Sequence, residues 1–288
     1  MGLTTYSPGI AQVEAPWALK DLPLYRPVAR KLMRLTVRQD VQLDQIQRVL
    51  RMDAAFTADV LRLANSPLIG MRGEIKSIMQ AVMMLGLERI KGLATTLSLR
   101  AFLTTSVPTS ALLASWRHNL AAAILCERLA RILVIDSDTC YTAGLVHDVG
   151  RLALLCAFPD KYERILRVQP SDDFDLLQLE RSIFEIDHCQ AGKWILEQWD
   201  FPKEMCEVAS LHHQKPKPEA SMLLRIVYVG WNVADLLGFS VWSQPIAGQI
   251  DEITSVLPSK AQQQVLAEFD RLAEDVAFKI NAIDCSLV

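Results

Sequence analysis

Ile226–Val227–Tyr228–Val229–Gly230–Trp231–Asn232–Val233–Ala234–Asp235–Leu236–Leu237 is apolar almost throughout and carries one carboxylate near its end. The run belongs to a helix expected from about Ser221 to Leu237. An ionised Asp235 amid so much apolar surface is costly unless a cation or several hydrogen bonds compensate it. A divalent metal supplies that compensation, and imidazole together with carboxylate suits Fe, Mn, Zn, Ni or Co. The plainer readings are an Asp on the solvent side of an amphipathic helix, or one that hydrogen-bonds a histidine.

Outward from this run the same period continues. Apolar residues recur at i, i+3, i+4 and i+7, and the class is all-α. Pro23 and Pro27 introduce a helix over about Val28–Val37. Leu43–Arg51 carries Leu43, Ile46, Val49 and Leu50 on one face, and Ala54–Leu63 repeats the pattern with Phe56, Val60, Leu61 and Ala64. Asn65–Ser66–Pro67, with Gly70 and Gly73, is a turn cluster. Ser77 is an N-cap for Ile78–Leu85, and Gly86 is its stop. Leu87–Leu103 follows. Beyond a polar break at Thr104–Ser110 lie helices at about Ala111–Leu133, Cys140–Ala157, Leu176–Phe184, Cys189–Trp199, Pro202–His212 and Pro258–Asn281, with a loop at Gln214–Glu219. The expected organisation is a flexible arm (1–18), an N-terminal helical lobe (19–107), a second lobe (108–240) and a C-terminal helical extension (241–288).

The chain has 288 residues, 51% of them hydrophobic and 22% charged, which is enough for a sizeable core. A formal net charge of −3 argues against a wholesale electrostatic grip on nucleic acid. No helix-turn-helix element stands out, and direct DNA binding is not expected. No apolar run approaches the roughly 18 to 20 residues that cross a bilayer, so no membrane partner is expected. Cys126, Cys140, Cys156, Cys189, Cys206 and Cys285 never form a C-x-x-C pair and read as free thiols, which points to the cytoplasm.

All five histidines, His118, His147, His188, His212 and His213, fall in the expected second lobe. His118 in Trp116–Arg117–His118–Asn119, His147–Asp148 in Ala143–Gly144–Leu145–Val146–His147–Asp148–Val149–Gly150–Arg151, and the distant Asp235 resemble the H…HD…D pattern of the HD superfamily of helical metal-dependent phosphohydrolases. Leu61–Arg62–Leu63–Ala64–Asn65–Ser66, Ser77–Ile78–Met79–Gln80–Ala81–Val82 and Leu85–Gly86 resemble its HDOD branch. So do Asp187–His188–Cys189–Gln190–Ala191–Gly192, Trp199–Asp200–Phe201–Pro202 and His212–His213. The resemblance runs from about Leu22 to Gly238.

The resemblance implies a two-lobed bundle with an HD-like helical core in the second lobe, and a bacterial regulatory protein. It also implies a ligand set by analogy with the related HD-GYP phosphodiesterases, which hydrolyse cyclic di-GMP: His118, His147, Asp148, His188, His212, His213 and Asp235, holding one or two ions. Two departures bear on catalysis. The Gly-Tyr-Pro element after the double His is replaced by Gln214–Lys215–Pro216, and the Lys expected after Gly150 is Arg151. In an active site Asp148 would bridge two cations, and Arg151 or Lys193 would meet a substrate phosphate. Three functions follow: a signal-transduction module that senses a ligand such as a nucleotide or contacts signalling proteins, a metal-dependent phosphohydrolase on a cyclic or linear nucleotide, or a scaffold without a bound metal.

Other surfaces have plainer readings. Arg26, Arg30, Arg34 and Arg38, with Lys31, form a drifting basic stripe, read as a solvated face. Trp116, Trp194, Trp199, Trp231 and Trp242 read as core, or as the lining of a pocket. Val265, Leu266, Phe269, Leu272, Val276 and Ile280 give the C-terminal helix an apolar face that packs on the body or forms a homodimer.

Overall fold

The computed structural model describes residues 16–19, 28, 31, 43–50, 52–71, 73–105, 109–168, 175–242 and 249–286. Among them no strand occurs, as the periodicity predicts. The arm up to residue 15, the four arginines of the basic stripe and most of the helix expected over Val28–Val37 lie outside the described residues.

The N-terminal lobe contributes α1 (Leu43–Leu50), α2 (Ala54–Ala64), α3 (Ile78–Leu85) and α4 (Leu87–Thr105). Asp53 caps α2 and Ser77 caps α3, each accepting a backbone N–H three residues on. The Asn65 turn is tied across its neck. Its amide donates to the carbonyls of Leu61 and Ile75, and its Oδ1 accepts the Ile75 N–H at 2.7 Å.

The second lobe is built on α5 (Ser110–Leu133). Around it stand α6 (Ser137–Val146), α7 (Val149–Ala157), α8 (Pro159–Leu166), α9 (Leu176–Phe184), α10 (His188–Gln198), α11 (Lys203–Leu211) and α12 (Met222–Ala234). The chain ends with α13 (Ile250–Thr254), α14 (Ser259–Ala267) and α15 (Phe269–Ser286). Small residues let the central helices approach closely. Ala121, Ala122 and Ala123 are fully buried on α5. A Cβ on Gly144 of α6 would fall 2.8 Å from Cys126 Sγ, and one on Gly230 of α12 would fall 2.6 Å from the same atom. That approach brings α5, α6 and α12 together at one end, where the histidines lie.

Several expectations need correction. The helix expected over Cys140–Ala157 is two helices, broken at His147–Asp148, where Asp148 leaves helical geometry (φ −113°, ψ 28°). The break tilts α7 onto α10 so closely that a Cβ on Gly150 would sit 1.9 Å from the His188 carbonyl oxygen. The C-terminal helix is also two, interrupted at Glu268, whose carboxylate pairs with Arg128 of α5. Its buried Val265, Leu272, Val276 and Ile280 pack back on α5 and α2. The short α8 was not anticipated. Finally, α12 runs directly into one π-helical turn, Asp235–Phe239, which is kinked at Gly238 (φ 88°, ψ 13°). The resulting 18-residue span, Met222–Phe239, is long and apolar enough to cross a membrane, contrary to the sequence reading. More than half of it, 56%, is buried against neighbouring helices, as a core helix is.

Candidate metal centre

The seven residues implied as ligands come from separated elements. His118 is on α5, His147 and Asp148 form the α6–α7 junction, and His188 opens α10. His212 and His213 follow α11, and Asp235 begins the π turn after α12. They converge. Ring centres lie 5.4 Å apart for His118 and His147, 5.0 Å for His147 and His212, and 4.8 Å for His188 and His213. His213 is half-buried and the other six residues are buried.

Local structure aims the imidazoles. The ring Nδ1 of His147 lies 2.7 Å from the Gly144 carbonyl, that of His212 lies 3.0 Å from Ala209, and that of His118 lies 3.1 Å from Phe239. A carbonyl only accepts, so each Nδ1 carries the proton and each Nε2 keeps its lone pair. The π turn matters here, because it presents both the Phe239 carbonyl and Asp235 to His118. Nε2 of His147 and His212 and Oδ1 of Asp148 are buried with no protein hydrogen-bond partner, whereas Asp235 Oδ1 has His118 Nδ1 beside it at 3.1 Å. Three buried acceptors in that condition are expensive for a protein to maintain without a cation or donor.

The donors fall into two sets. His118, His147 and Asp148 offer atoms all within 4.8 Å of one another, and so do His188, Cys189, His212 and His213. Cys189, read from sequence as a buried free thiol, thus stands among possible ligands. Arg151 lies between the sets. Its Nε is 2.8 Å from Asp148 Oδ2, and its Nη2 is 3.3 Å from His188 Nε2. His188 Nε2 is in turn 2.8 Å from His213 Nε2. Lys193, the other candidate phosphate contact, is exposed on α10 and lines no part of this site.

Sequence reasoning missed Glu180. It is fully buried on α9, accepts the His188 backbone N–H at 2.7 Å, and holds His188 Nδ1 at 2.7 Å. Tyr162 of α8 donates to its other oxygen. The available signal was an acidic residue on the apolar stripe that runs through Leu176, Glu180 and Phe184 at four-residue spacing.

Charge in the site follows from these contacts. Burial pushes His147 down to about 3 and His212 well below its ordinary value, so both are neutral at pH 7. Burial works against ionisation of Asp148, but Arg151 and the surrounding imidazoles hold it at about 2. Burial also opposes charge on His188, and the Glu180 carboxylate overcomes it, raising His188 well above its ordinary value. The two sets enclose a cavity of about 20 Å³ walled by Trp231, Val241 and Trp242. That is room for little more than one water molecule, which needs about 10–15 Å³ on this measure. Trp231 also donates from Nε1 to the His212 carbonyl at 2.8 Å, fixing the double-histidine turn.

Comparison with known proteins agrees with this architecture. An uncharacterized protein from Treponema pallidum (strain Nichols) is 23% identical over 203 residues, or 69% of this chain, and the chain spans only 39% of that relative's length. An HDOD domain protein of unknown function from Geobacter sulfurreducens superposes with a TM-score of 0.75 at 23% identity, over 92% of this chain and 94% of that one. A protein from Shewanella amazonensis SB2B, provisionally named a phosphohydrolase, superposes with a TM-score of 0.69 at 22% identity, over 94% and 96%. Residues 22–215 match the HDOD domain, well over half of the chain, and with the helical fold and the converging histidines described above the chain belongs to the HDOD family.

Proposed function

We propose that the chain is a cytoplasmic bacterial signalling module whose second lobe holds a divalent transition metal and which acts by ligand sensing or protein contacts rather than turnover. The observation that carries this reading is the set of buried, unpartnered donors around a cavity of about 20 Å³. Imidazole nitrogens and carboxylate oxygens fit Fe, Mn, Zn, Ni or Co. The cavity has room for an ion and its water.

His118, His147, Asp148 and Asp235 would hold the ion, with His188, His212 and His213 beside it. Bound there, a metal supplies Lewis acidity and ties together helices distant in sequence, so that its binding energy appears as folding stability. The carbonyls of Gly144, Ala209 and Phe239 keep the imidazoles in the ligating tautomer. Trp231, Val241 and Trp242 keep bulk water out. The cytoplasmic setting is supported by buried free thiols at Cys126, Cys140, Cys189 and Cys206. Signalling proteins are the expected partners.

A second reading, a metal-dependent phosphohydrolase, is favoured by the buried guanidinium of Arg151 beside Asp148 and by the name of the Shewanella relative. One experiment separates the two. Protein purified without chelator is analysed for metal, then incubated metal-loaded with a panel of linear and cyclic nucleotide phosphoesters. The regulatory reading expects bound metal and no hydrolysis. Turnover that disappears in His147→Ala establishes the phosphohydrolase, and metal-free protein overturns both.

A further inference from the structure

We propose that this site is built for one ion, with the guanidinium of Arg151 permanently supplying the positive charge that a second ion would bring. The inference rests on the metal reading above and sharpens it. A two-ion centre needs a carboxylate whose two oxygens face different cations, and Asp148, a member of the first donor set, also approaches the second, its Oδ1 lying 3.7 Å from His188 Nε2. Its oxygens are already differentiated. Oδ1 is buried and accepts no hydrogen bond, while Oδ2 is 2.8 Å from Arg151 Nε. The same guanidinium reaches within 3.3 Å of His188 Nε2, the nitrogen that the second set would offer to an ion.

Arg151 is 5% exposed and sits among Asp148, Glu180, Asp235 and Tyr162, all of which favour its charge. A guanidinium does not lose its proton in a protein, so this cation stays at every working pH. A dication on His188 and His213 would lie against it in a water-poor interior, where like charges repel strongly. The second set contributes no carboxylate of its own to offset that repulsion, being His188, Cys189, His212 and His213.

Removing the guanidinium therefore opens the second position. His188 and His213 already hold their Nε2 atoms 2.8 Å apart, a spacing close to that of two adjacent ligands on one ion with metal–nitrogen distances of about 2.0–2.1 Å. The carboxylate of Glu180 fixes the His188 ring in that orientation.

The test counts ions, using Mn²⁺ as the probe. Chelator-treated full-length protein is titrated by calorimetry, and the loaded protein is read by electron paramagnetic resonance. Wild type is expected to bind one Mn²⁺ per chain with the six-line signal of an isolated ion. Arg151→Met, which keeps the aliphatic stem and removes the charge, is expected to bind two and to show a spin-coupled signal. Arg151→Gln, which removes the charge but keeps a polar side chain, is expected to bind two as well. Two ions in wild type overturn the inference while leaving the metal reading intact. One ion in folded Arg151→Met denies Arg151 its role. No binding by wild type removes the metal reading itself. Should Arg151→Met not fold, Arg151→Gln decides, and one ion in that folded variant counts against the proposal.

Discussion

Two buried charged clusters sit nine residues apart on the same pair of helices. At one end of α5 and α6 lie His118 and His147, and at the other lie Glu127 and Asp138, about 13 Å away along each axis. The far cluster is closed on itself. Arg89, reaching across from α4, is 2.7 Å from Glu127 and 3.2 Å from Asp138, with its guanidinium 5.4 Å from the centre of the Tyr141 ring. Arg131 adds a 2.8 Å contact to Glu127. No side-chain atom of Arg89, Glu127 or Asp138 is a buried orphan. The near cluster leaves three acceptor atoms, Nε2 of His147 and His212 and Oδ1 of Asp148, without a hydrogen bond at its centre. A buried polar network that satisfies itself fastens a fold, and one that does not is shaped for something else.

The comparison is open to attack, most forcefully at the closed end. Arg89→Ala leaves the buried Glu127 with Arg131 alone and takes the cation from half-buried Asp138, so the loss should be about 3 kcal/mol, the low end of the cost of breaking a buried pair from one side. Urea unfolding should show that loss equally with Mn²⁺ and with chelator. A loss that metal restores would mean the two clusters are not separate.

At the open end the expected effect is ligand-dependent. Mn²⁺ at a hundredfold excess over its Kd should stabilise the chelated protein by about 2.7 kcal/mol. In a domain of this size that is roughly 5–10 °C in Tm. Asp148→Asn should remove the shift and Arg89→Ala should keep it. An unchanged shift in Asp148→Asn would disconnect the stabilisation from this site.

Gly150→Ala probes the α7–α10 contact that holds His188. Overpacking of this kind costs about 1–3 kcal/mol. Because the clash is with the His188 backbone, the Glu180–His188 contact should be disturbed with it. Nuclear magnetic resonance of the His188 ring protons is the check, and an unperturbed spectrum in a destabilised protein would show that the strain is absorbed elsewhere.

How much of this was legible beforehand depended on the range of the interaction. Helix class, the cap at Ser77 and the stop at Gly86 rest on local periodicity and backbone chemistry, which a sequence displays directly. The convergence of His118, His147, Asp148 and Asp235 was readable only because their order and spacing resemble a known pattern. Asp235 alone announced itself physically, as a charge inside an apolar run. The break at His147–Asp148 was hidden, since Cys140–Ala157 has helical periodicity straight through it and the tilt is set by the distant carbonyl of His188. Arg151 was legible as a cation but not as the partner of Asp148, because a contact three residues apart acquires its meaning from the imidazoles brought in by α10 and α11. Glu180 was hidden among ordinary helix-surface acids until α8 and α9 folded over it.

The smallest predicted effect tests the rule behind the comparison. Asn119 follows His118 on α5, is fully buried, and has neither Oδ1 nor Nδ2 hydrogen-bonded to protein, yet it does not line the cavity. If unpartnered polar atoms matter only where they converge with others, Asn119 is a local cost and not part of the site. Asn119→Leu keeps the branched heavy-atom skeleton and removes the unsatisfied groups, so it should stabilise the protein by about 1 kcal/mol. Mn²⁺ affinity should stay within about twofold. A Leu variant that is stable but binds Mn²⁺ tenfold more weakly would make Asn119 a positioning residue for His118, and the boundary drawn here between a metal centre and its supporting helix would have to move one residue along α5.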